Sequence, residues 1–212
     1  MQFPDIELES KLWNKGFKYI VGIDEAGRGP LAGPVCAGAV VINSDTKLHP
    51  FVRDSKMMSE KKREEIFEYI KESSVAYGIC MIDSVIIDEL GIQEAVKMAM
   101  EGALKQVEDM IKCKADYLIV DGSNVSTISG YRMEKIKSGD IKHYSISSAS
   151  ILAKVTRDRF MKEISKEYPD YLFEKHVGYG TKQHIELLRK YGPCAIHRKS
   201  FSPVKQLLVK DL

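Results

Sequence analysis

The sequence predicts an α/β fold: a mixed β-sheet with helices on both faces. Three observations carry this. Short β-branched runs crowd the first half of the chain, amphipathic helical stretches separate the later runs, and the early strands follow one another before the crossovers begin. A doubly wound nucleotide fold would instead alternate strand and helix regularly. With 212 residues, 44% of them hydrophobic, the chain suffices for a full core and fits one domain.

Taken in order, residues 18–24 (KYIVGID) and 33–43 (GPVCAGAVVIN) read as two strands joined by a glycine-rich turn. Residues 74–82 (SVAYGICMI) make a third, 115–122 (ADYLIVDG) a fourth, and 141–147 (IKHYSIS) a weaker fifth. Residues 59–73 place Ile66, Phe67 and Ile70 at helical spacing, with Ser59 as N-cap. Residues 92–111 carry a wide stripe of Ala95, Met98, Ala99, Met100, Ala103, Leu104 and Val107, where the methionines fill core space. A third helix over 149–168 ends before Pro169, and a shorter one over 181–191 ends at Gly192-Pro193.

Composition excludes several classes. No apolar stretch approaches the roughly 20 residues of a bilayer span, and the acidic, proline-interrupted start is unlike a secretory leader, so a cytoplasmic protein with no membrane partner is expected. Cys36, Cys80, Cys113 and Cys194 are scattered without metal-ligand spacing and read as small buried apolar residues. The formal charge of +2 neither demands nor excludes nucleic acid.

The informative stretch is residues 23–33, IDEAGRGPLAG. GRGPLA satisfies the dinucleotide pattern G-x-G-x-x-[GA], but a helix has to open at its later glycines, and here Pro30 and Pro34 bracket a turn that leads into VCAGAVVI. The acids offer another chemistry. Asp24 closes one apolar strand, Asp121 closes another, and Asp140 follows Gly139; strand-end carboxylates that converge at one sheet edge suit Mg2+ or Mn2+. Neighbours on a regular strand point to opposite faces, so Asp24 and Glu25 both ligate only if the strand twists out or one contributes its carbonyl. Taken singly, each acid is also compatible with a solvated strand end or turn.

The segments GIDEAGRGPLAGPV, DSK, VDG, GDIK, SISSASILAKVTRDR and HVGYGTKQH closely resemble the type 2 ribonuclease H family, ribonuclease HII, from about Tyr19 to Pro203. The resemblance implies a ribonuclease H-like mixed five-stranded sheet over residues 19–192, an N-terminal extension over 1–18 and a small C-terminal helical extension over 193–212. It implies an endonuclease that cuts the RNA strand of RNA–DNA hybrids and nicks 5′ of ribonucleotides embedded in duplex DNA, leaving a 5′-phosphate and a 3′-hydroxyl. It further implies Asp24, Glu25, Asp121 and Asp140 as catalytic and metal-holding carboxylates, Gly27, Arg28 and Gly29 as readers of the 2′-OH, and Tyr179 as a platform for the next sugar. Lys56, Lys142, Lys154 and Ser148 are natural phosphate contacts. A monomer is expected, with a sliding clamp as candidate partner. His176, His184 and His197 form no ligand or base pattern and read as surface or core-edge residues. His143 departs from the family's usual serine. The rival from another class is a catalytically silent hybrid-binding module, with a nicotinamide oxidoreductase a distant third.

Overall fold

The computed structural model describes residues 3–52 and 59–210. Five strands, β1 Ile20–Ala26, β2 Val35–Val41, β3 Ala76–Ile82, β4 Tyr117–Asp121 and β5 Met133–Ile136, form one sheet in the order β3-β2-β1-β4-β5. The β1-β2-β3 meander is antiparallel, whereas β4 and β5 join in parallel after crossovers. Helices α1 Glu7–Asn14, α2 Glu60–Ser73, α3 Ser84–Leu90, α4 Ile92–Ile111, α5 Tyr144–Ile164, α6 Phe173–His176, α7 Lys182–Tyr191 and α8 Val204–Lys210 surround it. None of them, among the described residues, is long and apolar enough to cross a membrane.

Strand alternation assigns the two faces. Val21 and Ile23 of β1 pack with Ala95, Ala99, Met100 and Ala103 of α4. The intervening residues turn to α5: Ile20 packs on Ile146, and a Cβ added at Gly22 would collide with Ser145. On that side Val40 and Ile42 close over Ala149, Leu152 and Val155, with Ile66, Phe67 and Ile70 of α2 outside them. Asp24 therefore leaves β1 on the α5 side.

Helices α2, α4 and α7 fall where the spacing places them, and Ser59 Oγ accepts from the Lys62 amide at 3.3 Å. The fifth strand does not. Residues 141–147, read as a strand, form the end of a 3-10 turn (Gly139–Ile141) and the first turn of α5, and the true edge strand is the short, half-exposed MEKI of β5. The i, i+2 spacing of Tyr144 and Ile146 mimics a β pattern, and the serine-rich start of α5 has poor helix propensity; burial of that turn against β1 overrides both. The third helix accordingly starts at Tyr144 and ends at Ile164 rather than spanning 149–168. Three helices are new relative to the sequence reading: α1, α3 and the single-turn α6. In the expected N-terminal extension, α1 packs Leu8 and Leu12 on Ile20, Ile119 and Ile136. Helix α3 is capped by Asp83, which accepts from the Ile86 amide at 3.0 Å. Past α7, Val204 of α8 packs with Leu31 and Leu188 beneath the glycine-rich turn. Of the cysteines only Cys36 is fully buried, and Cys113 is exposed just past the C-terminus of α4.

Candidate metal centre and nucleic-acid cleft

Parallel pairing of β1 with β4 aligns Ile23 with Val120, so the next residues, Asp24 and Asp121, leave the sheet side by side. The 3-10 turn after β5 brings in Asp140, and the Gly139 amide donates to Asp121 Oδ1 at 2.5 Å. One carboxylate oxygen each from Asp24, Asp121 and Asp140 lie within 4.8 Å of one another. Asp24 and Asp140 are each only 5% exposed. Three hard oxygen donors gathered this closely, two of them shielded from water, fit a divalent cation such as Mg2+ or Mn2+.

Electrostatics point the same way. Burial, then the charges of Glu25 and Asp121, hold the Asp24 carboxyl well above its ordinary range. Burial also raises Glu25, with Arg28 opposing, and raises Asp121, with the Gly139 amide opposing. A cation among these groups offsets both desolvation and like-charge repulsion.

Glu25 resolves the alternation problem in a particular way. Its amide donates to Asp24 Oδ1 at 2.7 Å, while its own Oε1 sits 3.2 Å from Arg28 Nη1. It lines the same cleft as Asp24 and Asp121 but stands outside the three-aspartate cluster, paired to the arginine of the turn.

That cleft has a volume of about 530 Å3, with Asp24, Glu25 and Asp121 on its floor and Gly27, Arg28 and Gly29 along one wall. The turn is held by two buried arginines. Arg157 of α5 donates to the carbonyls of Pro34 (2.8 Å), Val177 (2.9 Å) and Ala32 (3.1 Å). Arg198 donates to Gly27 (2.6 Å), Arg28 (2.9 Å) and Gly33 (3.0 Å). Gly27 has φ +88°, and any Cβ there would strike Arg157. The strand that follows the turn, β2, replaces the helix a dinucleotide site needs.

Tyr179 faces the cleft with 42% of its surface exposed, its ring centroid 5.8 Å from the Arg157 guanidinium. Its carbonyl takes a hydrogen bond from His184 Nδ1 at 2.9 Å. Because a carbonyl only accepts, His184 Nε2 is the acceptor in its 3.0 Å contact with His197 Nε2. His197 Nδ1 then accepts from the Cys194 amide at 3.0 Å. Both rings are neutral in this arrangement, and burial pushes each histidine down to about 4. His176 stacks on His184 with centroids 4.3 Å apart. His184 and His197 thus form a buried hydrogen-bonded pair behind the Tyr179 loop with His176 stacked on it, and none of the three is a surface or core-edge residue.

The remaining sequence candidates divide. Lys154 lines the cleft, 2.7 Å from Asp158. Lys142 lies off the cleft lining and donates to the Lys137 carbonyl at 2.6 Å. Ser148 is buried, its hydroxyl donating back to the Tyr144 carbonyl at 2.8 Å; Ser150 takes the place on the cleft wall and hydrogen-bonds Asp24. The reason is helical phase: Ser150 shares a face with Lys154 at i,i+4, and Ser148 does not. Lys56 lies outside the described residues. Arg63, also on the cleft wall, went unread because a basic residue on an amphipathic surface helix carries no distinguishing pattern.

Comparison with known proteins agrees with this architecture. The sequence profile of the family described as Ribonuclease HII matches residues 21–204. A ribonuclease HII of Caldicellulosiruptor bescii is 52% identical over 195 residues, covering 92% of each chain. Ribonuclease H2 from Pyrococcus horikoshii OT3 superposes with TM-score 0.74 at 24% identity, covering 91% of this chain and 98% of that one. Ribonuclease HII from Archaeoglobus fulgidus, solved as a complex with PCNA, gives 0.72 at 24% identity over 87% and 95% of the two chains. At that identity the two structures speak for the fold alone. The profile and the bacterial relative cover nearly the whole chain and settle its family: it belongs to ribonuclease HII, the metal-dependent endonucleases of RNA–DNA hybrids.

Proposed function

We propose that this enzyme nicks duplex DNA on the 5′ side of an embedded ribonucleotide, leaving a 5′-phosphate and a 3′-hydroxyl, and so serves ribonucleotide removal and primer clearance. The observation that carries the reading is one cleft whose floor is carboxylate and whose wall is the Gly27-Arg28-Gly29 turn, with Tyr179 exposed beside it.

Asp24, Asp121 and Asp140 would hold Mg2+ or Mn2+, with Glu25 completing the set from its position against Arg28. When bound, the metal supplies activation of an attacking water and stabilisation of the leaving 3′-oxygen. The protein residues do the rest. The 2′-OH is the group that distinguishes RNA from DNA, and a glycine turn lets backbone amides and carbonyls approach it without side-chain interference. Arg198 fixes the Gly27 and Arg28 carbonyls in advance and Arg157 that of nearby Ala32, which lowers the ordering cost of binding. The Tyr179 ring would lie on the sugar that follows the ribonucleotide. Lys154 and Arg63 on the cleft wall would contact phosphates, as would Lys142 off the cleft lining; Lys56, the remaining candidate, lies outside the described residues. Ser150 rather than Ser148 presents its hydroxyl in the cleft. Action as a cytoplasmic monomer recruited by a sliding clamp is part of the same reading.

The test is cleavage of a labelled duplex with one ribonucleotide, beside an RNA–DNA hybrid and an all-DNA control, with Mg2+, Mn2+ or chelator. A metal-dependent nick 5′ of the ribonucleotide is expected. Cleavage of the long hybrid with none at the single ribonucleotide would overturn the junction-reading role of the turn.

A further inference from the structure

The turn that carries Asp140 is held from outside by the N-terminal segment. The Asp5 amide donates to the Lys142 carbonyl at 2.9 Å, and the Tyr144 amide donates to the Asp5 carbonyl at 2.8 Å, so Asp5 pairs like a strand residue across His143. One turn further on, Glu9 of α1 is 0% exposed, and its Oε1 accepts from Ser145 Oγ at 2.7 Å and from the Ser145 amide at 3.2 Å. His143, the residue at the N-cap position of α5, makes no capping bond with its own side chain, so the cap is supplied across the fold by Glu9.

Burying this carboxylate is costly. Its second oxygen, Oε2, has no hydrogen-bond partner among the described residues, and docking of α1 is already provided by Leu8 and Leu12 against Ile20, Ile119, Ile136 and Ile146. An apolar residue would serve docking better. What Glu9 adds is direction: it fixes the first turn of α5 relative to α1, five residues after Asp140.

The link to the carboxylates is continuous. The amides of Lys142 and His143 close onto the Gly139 carbonyl at 3.0 and 2.9 Å, and the Gly139 amide binds Asp121. Asp5 and Glu9 thus hold both flanks of His143, and the turn they hold carries Asp140 and touches Asp121.

We propose that α1 and the strand-like Asp5 are a positioning element of the metal centre, with Glu9 as the positioning residue that sets Asp140 against Asp24 and Asp121. On this view the segment from Asp5 to Asn14 acts as part of the catalytic unit. The inference rests on reading the three aspartates as the metal-holding set.

The experiment is Mn2+ binding to the full-length protein by calorimetry, with circular dichroism to establish folding and steady-state cleavage of an RNA–DNA hybrid alongside. Direct hydrogen-bond partners of metal ligands typically change affinity by 10–100-fold; Glu9 acts one step further out through the turn, so the low end, roughly tenfold, is expected for Glu9→Leu. Its kcat should recover at saturating metal, with KM for the hybrid unchanged. Glu9→Gln, which keeps an acceptor for Ser145, should stay within about twofold of wild type on the same scale. A folded Glu9→Leu variant with wild-type Mn2+ affinity overturns the proposal. If that variant does not fold, Glu9→Asp decides, because its shorter side chain cannot hold Ser145 without moving the turn, and wild-type affinity there is equally fatal. Asp140→Asn separates the two readings: if it too leaves Mn2+ binding unchanged, the aspartate cluster itself has been misread.

Discussion

Replacing Arg157 by methionine tests whether the glycine-rich turn is held by backbone recognition. The methionine keeps most of the apolar stem and removes every donor. Three carbonyls, those of Ala32, Pro34 and Val177, then lose their partner in a site where the arginine is 1% exposed. An orphaned buried acceptor costs about 1–3 kcal/mol, so three of them together set a range of about 3–9 kcal/mol. The lower part of that range is the better expectation, because desolvation of the guanidinium is itself unfavourable and depresses its pKa. For a chain of this size about 3 kcal/mol corresponds to a fall of roughly 10 °C in Tm. Urea unfolding monitored by circular dichroism, in chelator, measures it directly. Arg157→Lys should recover part of the loss, since a compact ammonium cannot span three carbonyls in the plane of a fork. Arg198→Met should cost a similar amount through Gly27, Arg28 and Gly33, and the double variant should be non-additive because both arginines hold one turn. An Arg157→Met protein within about 1 kcal/mol of wild type would mean that the three carbonyls do not depend on the guanidinium.

Three further outcomes are expected. Asp121→Asn should keep the fold and hybrid binding while losing nearly all turnover; a wild-type rate would show the site misassigned. Arg28→Ala and Tyr179→Ala should each reduce cleavage at a single embedded ribonucleotide more than on a long hybrid, and equal loss on both substrates would remove them from junction reading. His184 and His197 are held neutral in the folded protein at about 4, below the unfolded value of about 6.5, so the unfolded chain binds more protons in that window. Stability should therefore fall as pH drops from about 6.5 toward 4, by up to about 1.4 kcal/mol per pH unit for each histidine, and His197→Gln should flatten that slope in denaturant titrations.

Much of the site was legible because its chemistry is written locally. Asp24 and Asp121 end apolar runs, and the exclusion of a dinucleotide site followed from Pro30, Pro34 and the β-branched residues after them. Other parts were illegible for a common reason. Ser148 and Ser150 differ only in helical phase, and which face of α5 meets the cleft is set by its packing against strands more than 100 residues away in sequence. Arg157 and Arg198 look like surface cations in a sequence of 32 basic residues, and only the close approach of three backbone segments makes them internal donors.

The α/β class, the positions of α2, α4 and α7, the family and the candidate acids can be read from the sequence alone, since each depends on periodicity or on motifs a few residues long. The tertiary structure alone decided that Asp24, Asp121 and Asp140 converge while Glu25 turns to Arg28, that residues 141–147 coil rather than extend, and that three histidines are buried beneath Tyr179. Those outcomes depend on which distant segments share a face, and hydrogen bonds and burial between such segments outweigh the local propensities that a sequence displays.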